Sequence, residues 1–146
     1  MAKYVIQSKR GAPTMGAYSQ GWRAGDFIFV TGTGPIDPAT GKLVGDTIEQ
    51  QTEQTITNME SILEADGATL ADVVKVSTHL HDPSLFPGYN AVYARRFSSP
   101  YPVRTTVGSN LDSLPGMLIE IDCIAYKPQA RRATRRGVSR PRKQKK

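Results

Sequence analysis

Cysteine is almost absent: the 146-residue chain has one, Cys123. An intrachain disulfide and a multi-cysteine metal site are therefore both excluded. A reducing compartment, the cytoplasm, is the expected location. No run of about 18 apolar residues occurs, which argues against a membrane-spanning helix and against a membrane partner. The opening segment MAKYVIQSKRGAP has neither the apolar stretch nor the cleavage pattern of a secretory leader. Acidic residues are missing from positions 127–146, although the chain has 13 of them.

What is present reads as one domain and a tail. Hydrophobic residues at 38% and charged residues at 22% supply a core for a single domain. The net charge of +6 is an average of two unlike parts. Residues 127–146 hold ten of the 19 Lys and Arg, which leaves nine against 13 Asp and Glu elsewhere, a net −4. The tail has no aromatic residue and only Val138 as a large aliphatic. Such composition cannot offset the entropy of ordering, so a domain over 1–126 and a disordered basic tail over 127–146 are expected. The tail could at most make a weak contact with nucleic acid, through phosphates.

Hydrophobic periodicity predicts the order βββαβαββ. Strands are expected at Lys3–Gln7, Ala17–Arg23, Phe27–Thr31, Val73–His81, Val103–Gly108 and Met117–Tyr126. A helix is expected from Thr47 to Asp66, with Thr47 and Gln50 at capping-box spacing and Gly67 at the C-terminal cap. A second starts at Asp82-Pro83, with Leu85, Phe86, Tyr89, Val92, Tyr93 and Phe97 on its stripe. In Val73–His81 the alternation places Val74, Val76, Thr78 and Leu80 on one face. The fold class is α+β, a single-layer sheet with two helices on one face. Phe27–Val30 is apolar at every position, so the other face also needs cover, and a second copy of the chain would supply it.

Familiar chemical motifs fail on context. Gly32-Thr33-Gly34 runs into Pro35 rather than a helix, and Gly41-Lys42 ends in Leu43, so neither makes a phosphate loop. His79 and His81 share a strand face but lack a third ligand nearby in sequence, and no metal is expected. Cys123 reads as a small core residue. The informative stretch is Tyr101-Pro102-Val103-Arg104-Thr105-Thr106-Val107, followed by Leu114-Pro115 and Ile119-Glu120-Ile121-Asp122. Arg104 is a lone cation in one apolar strand and Glu120 an anion in another. If those strands pair, the two groups form an internal salt bridge. Alternatively, Arg104 presents its planar fork to a substrate carboxylate and Glu120 serves as a general base on water.

Together with Gly16-Ala17-Tyr18-Ser19-Gln20, Val30-Thr31-Gly32 and Asp82…Asn90…Tyr93, these segments resemble the RidA/YjgF family of enamine/imine deaminases over residues 3–126. The resemblance implies a chorismate-mutase-like fold, a homotrimer and active sites in the clefts between subunits. It implies cofactor-free hydrolysis of 2-aminoacrylate, 2-iminopropanoate, 2-iminobutanoate and related substrates to 2-oxo acids and ammonia. Arg104 would grip the carboxylate, Glu120 would orient the attacking water and Tyr18 would close the pocket. Thr31, Gly32, Asn90 and Thr106 would line it. Thr31 stands where many members have Ser, Thr33 where Gln is frequent and Thr106 where some have Cys; the loop Gly108–Leu114 differs as well. These departures bear on pocket size more than on the reaction. The alternatives are a small-molecule-binding or chaperone-like trimer, or an RNA-directed translation inhibitor or endoribonuclease.

Overall fold

The computed structural model describes residues 3–129. The tail expected at 127–146 therefore lies, from residue 130 on, outside the described residues. Six strands form one mixed sheet: β1 (Lys3–Ile6), β2 (Gly21–Ala24), β3 (Phe27–Thr33), β4 (Val73–Leu80), β5 (Val103–Gly108) and β6 (Ile119–Tyr126). Their order across the sheet is β1-β2-β3-β6-β4-β5. Every pairing is antiparallel except β4–β5, which is parallel and needs a crossover. Helix α2 (Phe86–Arg96) is that crossover, and α1 (Ile48–Glu64) packs beside it on the same face.

Helix α1 begins where its capping box dictates. The Thr47 side chain accepts from the Gln50 backbone N–H, and the Gln50 carboxamide accepts from Thr47 N–H. Such caps contribute about 0.5–2 kcal/mol. The helix ends before Gly67, whose φ of +75° lets the chain reverse without a Cβ penalty. Between these points Ile48, Thr52, Thr55, Ile56, Met59, Ile62 and Leu63 form the buried stripe. It packs on Ile28, Val30, Ile119, Ile121, Cys123 and Ala125 of the central strands. Burial pushes the Cys123 thiol well above its ordinary range, with the Asp122 charge adding to the effect, which leaves it an inert core group.

Three expectations need correction. The segment Ala17–Arg23 is extended only from Gly21. Before it, Tyr18 N–H turns back to Gly16 O, and the Gln20 side chain is taken up by Ser8 and Ala12 backbone groups. In β4 the register shifts between Val73 and Lys75, so Val73 is buried and Val74 exposed, the reverse of simple alternation. The second helix opens with a 3-10 turn, Pro83–Leu85, capped by the Asp82 carboxylate on Ser84 N–H. Phe86, expected on its apolar stripe, is 39% exposed.

One end of the sheet is tied by a buried ion pair that the sequence did not signal. Arg23 lies on the helix side of β2 and bonds the Asp66 carboxylate after α1. It also donates to Lys127 O at 2.8 Å. Lys127 N–H in turn donates to Asp26 O. The face opposite the helices carries Trp22, Phe27, Phe29, Val103, Val107 and Tyr126, all more than a third exposed. No described helix is long and apolar enough to cross a membrane.

Candidate active site

The sheet order separates the two charged groups singled out in the sequence. β4 lies between β5 and β6, so Arg104 and Glu120 are not on paired strands. Arg104 is level with Val76, which is fully buried under the helices. Glu120 is opposite His79, on the other face. The internal Arg104–Glu120 salt bridge is therefore ruled out within one chain, and the strand pairing that it required does not exist.

The first half of the site gathers around Glu120. A cavity of about 330 Å³ is lined by Tyr18, Thr31, Gly32, Ile36, Met117 and Glu120, among others. Four of the expected residues thus come together from three parts of the chain. Gly32 is needed for contact: a Cβ there would lie 3.0 Å from the Glu120 carboxylate carbon and from Oε1. The β-bulge between Val30 and Thr33 brings that backbone against the carboxylate. Among the described residues Glu120 has no hydrogen-bond or ion-pair partner, so its oxygens are free to accept from water or a ligand. The Tyr18 hydroxyl accepts from Met15 N–H at 3.0 Å, and its ring stands at the cavity mouth, 47% exposed.

Two residues that support this half were missed in the sequence. Asn58 of α1 is fully buried and donates to Gly34 O at 3.0 Å and Ile36 O at 2.7 Å. Gln51 donates to Gly45 O and Gly116 O and accepts from Leu118 N–H, at 2.8–3.0 Å. Both hold the loops that wall the cavity. Their signal was available: uncharged carboxamides interrupting an apolar helix stripe must find buried partners.

The second half lies under α2. Arg104, Asn90, Tyr93, Ala94, Tyr101 and Pro102 line a cavity of about 490 Å³. Asn90 Oδ1 accepts from Arg104 Nη2 at 3.0 Å. Arg104 Nη1 is buried and has no partner among the described residues. Such an orphan donor on a cation is rare and calls for an anionic acceptor. Thr106, two residues along β5 and on the same face, lines a smaller cavity with Phe86 and Leu80. Burial pushes the Tyr89 and Tyr93 phenols above their ordinary range, against the opposing pull of the Arg104 charge, so both rings stay neutral beside it. His79 bonds Ser109 Oγ through Nδ1 at 2.7 Å, and no cluster of three metal-ligating side chains occurs among the described residues.

The Endoribonuclease L-PSP family model matches residues 9–127. The chain belongs to this family, the YjgF/RidA family that its motifs resemble. A RutC family protein from Pyrococcus abyssi is 44% identical over 128 residues, covering 87% of this chain and 99% of its own. A 2-iminobutanoate/2-iminopropanoate deaminase from Dermatophagoides farinae is 34% identical over 73% of this chain and 83% of its own. The crystal structure of RidA from an Antarctic Psychrobacter superposes with a TM-score of 0.79 at 35% identity, covering 84% of this chain and 98% of that one. The six-stranded mixed sheet with two helices on one face is thus the fold of the YjgF/RidA family, and deaminases of reactive intermediates are among its members.

Proposed function

We propose that the protein hydrolyses 2-imino acids to 2-oxo acids and ammonia, in sites completed between copies of a homotrimer. The observation that carries this reading is Arg104, a cation whose side chain lines an open cavity and whose buried Nη1 has no partner among the described residues. Asn90 holds one amino group of the guanidinium and leaves the other without a partner, and a substrate carboxylate is the acceptor that suits such a cation. Because Glu120 faces the opposite side of the sheet, the carboxylate meeting that substrate comes from a neighbouring copy. The exposed apolar face from Trp22 to Val107 gives the copies a surface to bury.

The chemistry follows from these groups. Arg104 binds the substrate carboxylate and fixes the imine carbon in the cleft. Tyr18 closes the mouth, and Thr31 and Gly32 lie beside the nitrogen. Thr106 shapes the wall near the substrate side chain. Glu120 takes a proton from water as the water oxygen bonds to the imine carbon and passes it to the imine nitrogen, which gives a neutral carbinolamine. The same carboxylate then takes the carbinolamine O–H proton and delivers it to nitrogen as the C=O bond forms and the C–N bond breaks, so ammonia leaves with the 2-oxo acid behind. An enamine such as 2-aminoacrylate enters after its methylene carbon is protonated. No step calls on a metal or organic cofactor. The cytoplasmic setting expected from the lone cysteine belongs to the same reading.

The endoribonuclease description attached to the family asks for basic groups along a groove, whereas among the described residues no Lys, Arg or His lines the Glu120 cavity. The deciding experiment generates 2-aminoacrylate with a serine dehydratase and follows pyruvate and ammonia. Acceleration over spontaneous hydrolysis is expected; its absence, with the dehydratase in excess, would overturn the reading.

A further inference from the structure

Three rings surround the Arg104 guanidinium. Its Cζ lies 5.4 Å from the ring centroid of Phe86, 5.2 Å from that of Tyr89 and 4.5 Å from that of Tyr93. The spacing of three and then four residues sets all three on one stripe of α2. They are held differently. Phe86 is partly exposed, and the Tyr93 hydroxyl has no hydrogen-bond partner among the described residues. Tyr89 is fully buried, and its hydroxyl shares a 2.7 Å hydrogen bond with Thr78 Oγ1. Thr78 is on β4, level with Thr106 of β5. The Tyr89 ring is thus fastened at its root to α2 and at its tip to the strand beside the one that carries Arg104.

This anchoring answers a mechanical difficulty. β5 is an edge strand, supported on one side only. A long arginine side chain there has many rotamers, and capturing a carboxylate would have to freeze them. An aromatic face that is itself immobile confines the guanidinium plane before any ligand arrives. We propose that Tyr89, fixed by Thr78, is a positioning residue that holds the Arg104 guanidinium in place at the cavity it lines. The assignment rests on the reading of Arg104 as the carboxylate-binding group, and it adds a pair of side chains to that site.

The test uses full-length protein and two conservative variants, Tyr89→Phe and Thr78→Val, each of which removes one side of the hydrogen bond. Nitrogen-15 NMR of the Arg104 guanidinium, assigned by its loss in Arg104→Lys, reads rotation about the Nε–Cζ bond without ligand. Rotation should be slow in the wild type and at least about threefold faster in both variants, the low end of one lost hydrogen bond. The dissociation constant for 2-oxobutanoate should rise about three- to tenfold. KM for the imine should follow it while kcat stays within about twofold, because the bond acts on ground state and transition state alike. On an Arg104→Lys background, Tyr89→Phe should weaken binding no further.

Unchanged rotation and affinity in both variants would overturn the proposal, whatever happens to Tm. So would an equal loss of affinity on the Arg104→Lys background. If Tyr89→Phe does not fold, Thr78→Val reports on the same bond from the other partner. A wild-type protein with slow guanidinium rotation but no turnover of imines would defeat the deaminase reading and leave the positioning role standing.

Discussion

Two inactive variants should restore each other's activity. Arg104→Ala removes the carboxylate clamp and leaves Glu120; Glu120→Gln keeps Arg104 and removes the base. The two groups are on opposite faces of one sheet, so under the proposed function each site would draw Arg104 from one copy and Glu120 from the next. In trimers reassembled at random from equal amounts, a site is intact when the first chain has its arginine and the second its glutamate. That is one half times one half, about one quarter of all sites, for a closed ring of three. Each parent should lie at least about 10²-fold below wild type, since loss of a general base commonly removes 10²–10⁴-fold. The mixture should therefore rise from near 1% to about one quarter of wild-type turnover, on the same general-base scale. The assay is pyruvate release from dehydratase-generated 2-aminoacrylate, after mild denaturation and reassembly, with native mass spectrometry to count mixed trimers. Mixed trimers no more active than the average of the parents would show that one chain supplies both groups, and the argument from sheet faces would fail.

Other expectations follow from single contacts. Arg104→Lys keeps the charge and loses the fork, so KM should rise clearly; a neutral result in steady-state kinetics would exclude bidentate binding. Gly32→Ala places a methyl 3.0 Å from the Glu120 carboxyl, so kcat should fall while Tm changes little, and an unaltered kcat would detach Gly32 from the site. Arg23→Met leaves Asp66, whose side chain is 14% exposed, without its cation; urea unfolding should show a loss of about 3–5 kcal/mol, and a loss below about 1 would make the pair incidental. For Glu53, burial works against ionisation, but hydrogen bonds from Arg96 and Arg95 prevail and hold its carboxyl below the ordinary 4.5. A group depressed in the folded state stabilises above its unfolded pKa and loses that contribution as pH falls through the folded value. Below about pH 4.5 the wild type should therefore lose Tm more steeply than Glu53→Gln; parallel curves would remove Glu53 from the account.

Local features were legible because local chemistry decides them. The Thr47–Gln50 cap, the stripe from Ile48 to Leu63 and the alternation of Ile119, Ile121, Cys123 and Ala125 need no knowledge of the rest of the chain. Arg104 and Glu120 stood out for a similar reason: Arg104 is the one cation on its strand, and Glu120 is an anion between two isoleucines. Their relation was not legible. β5 and β6 are neighbours in sequence, yet β4 lies between them, and strand order leaves no trace in a period of two. The Val73–Val74 exchange escaped because a bulge adds a residue where the alternation continues smoothly. Gln51 and Asn58 were passed over because a polar residue on an apolar stripe shows its purpose only when the loops it holds are in view. The tyrosine ring behind Arg104 read as core, which it also is.

The strand made last is not the strand placed last. β6 is the final element of the described chain, and it sits in the interior of the sheet, joining β3 to β4. A growing chain on the ribosome therefore exposes two half-sheets with unpaired edges until roughly residue 126 has emerged, and the Glu120 cavity is not finished before then. Contacts between β3 and β6 span some ninety residues, so closure entropy delays them further. During that interval the protein is most open to pairing with the wrong edge. Its vulnerable period is set by translation, and its working form begins only when the closing strand slides between the other two.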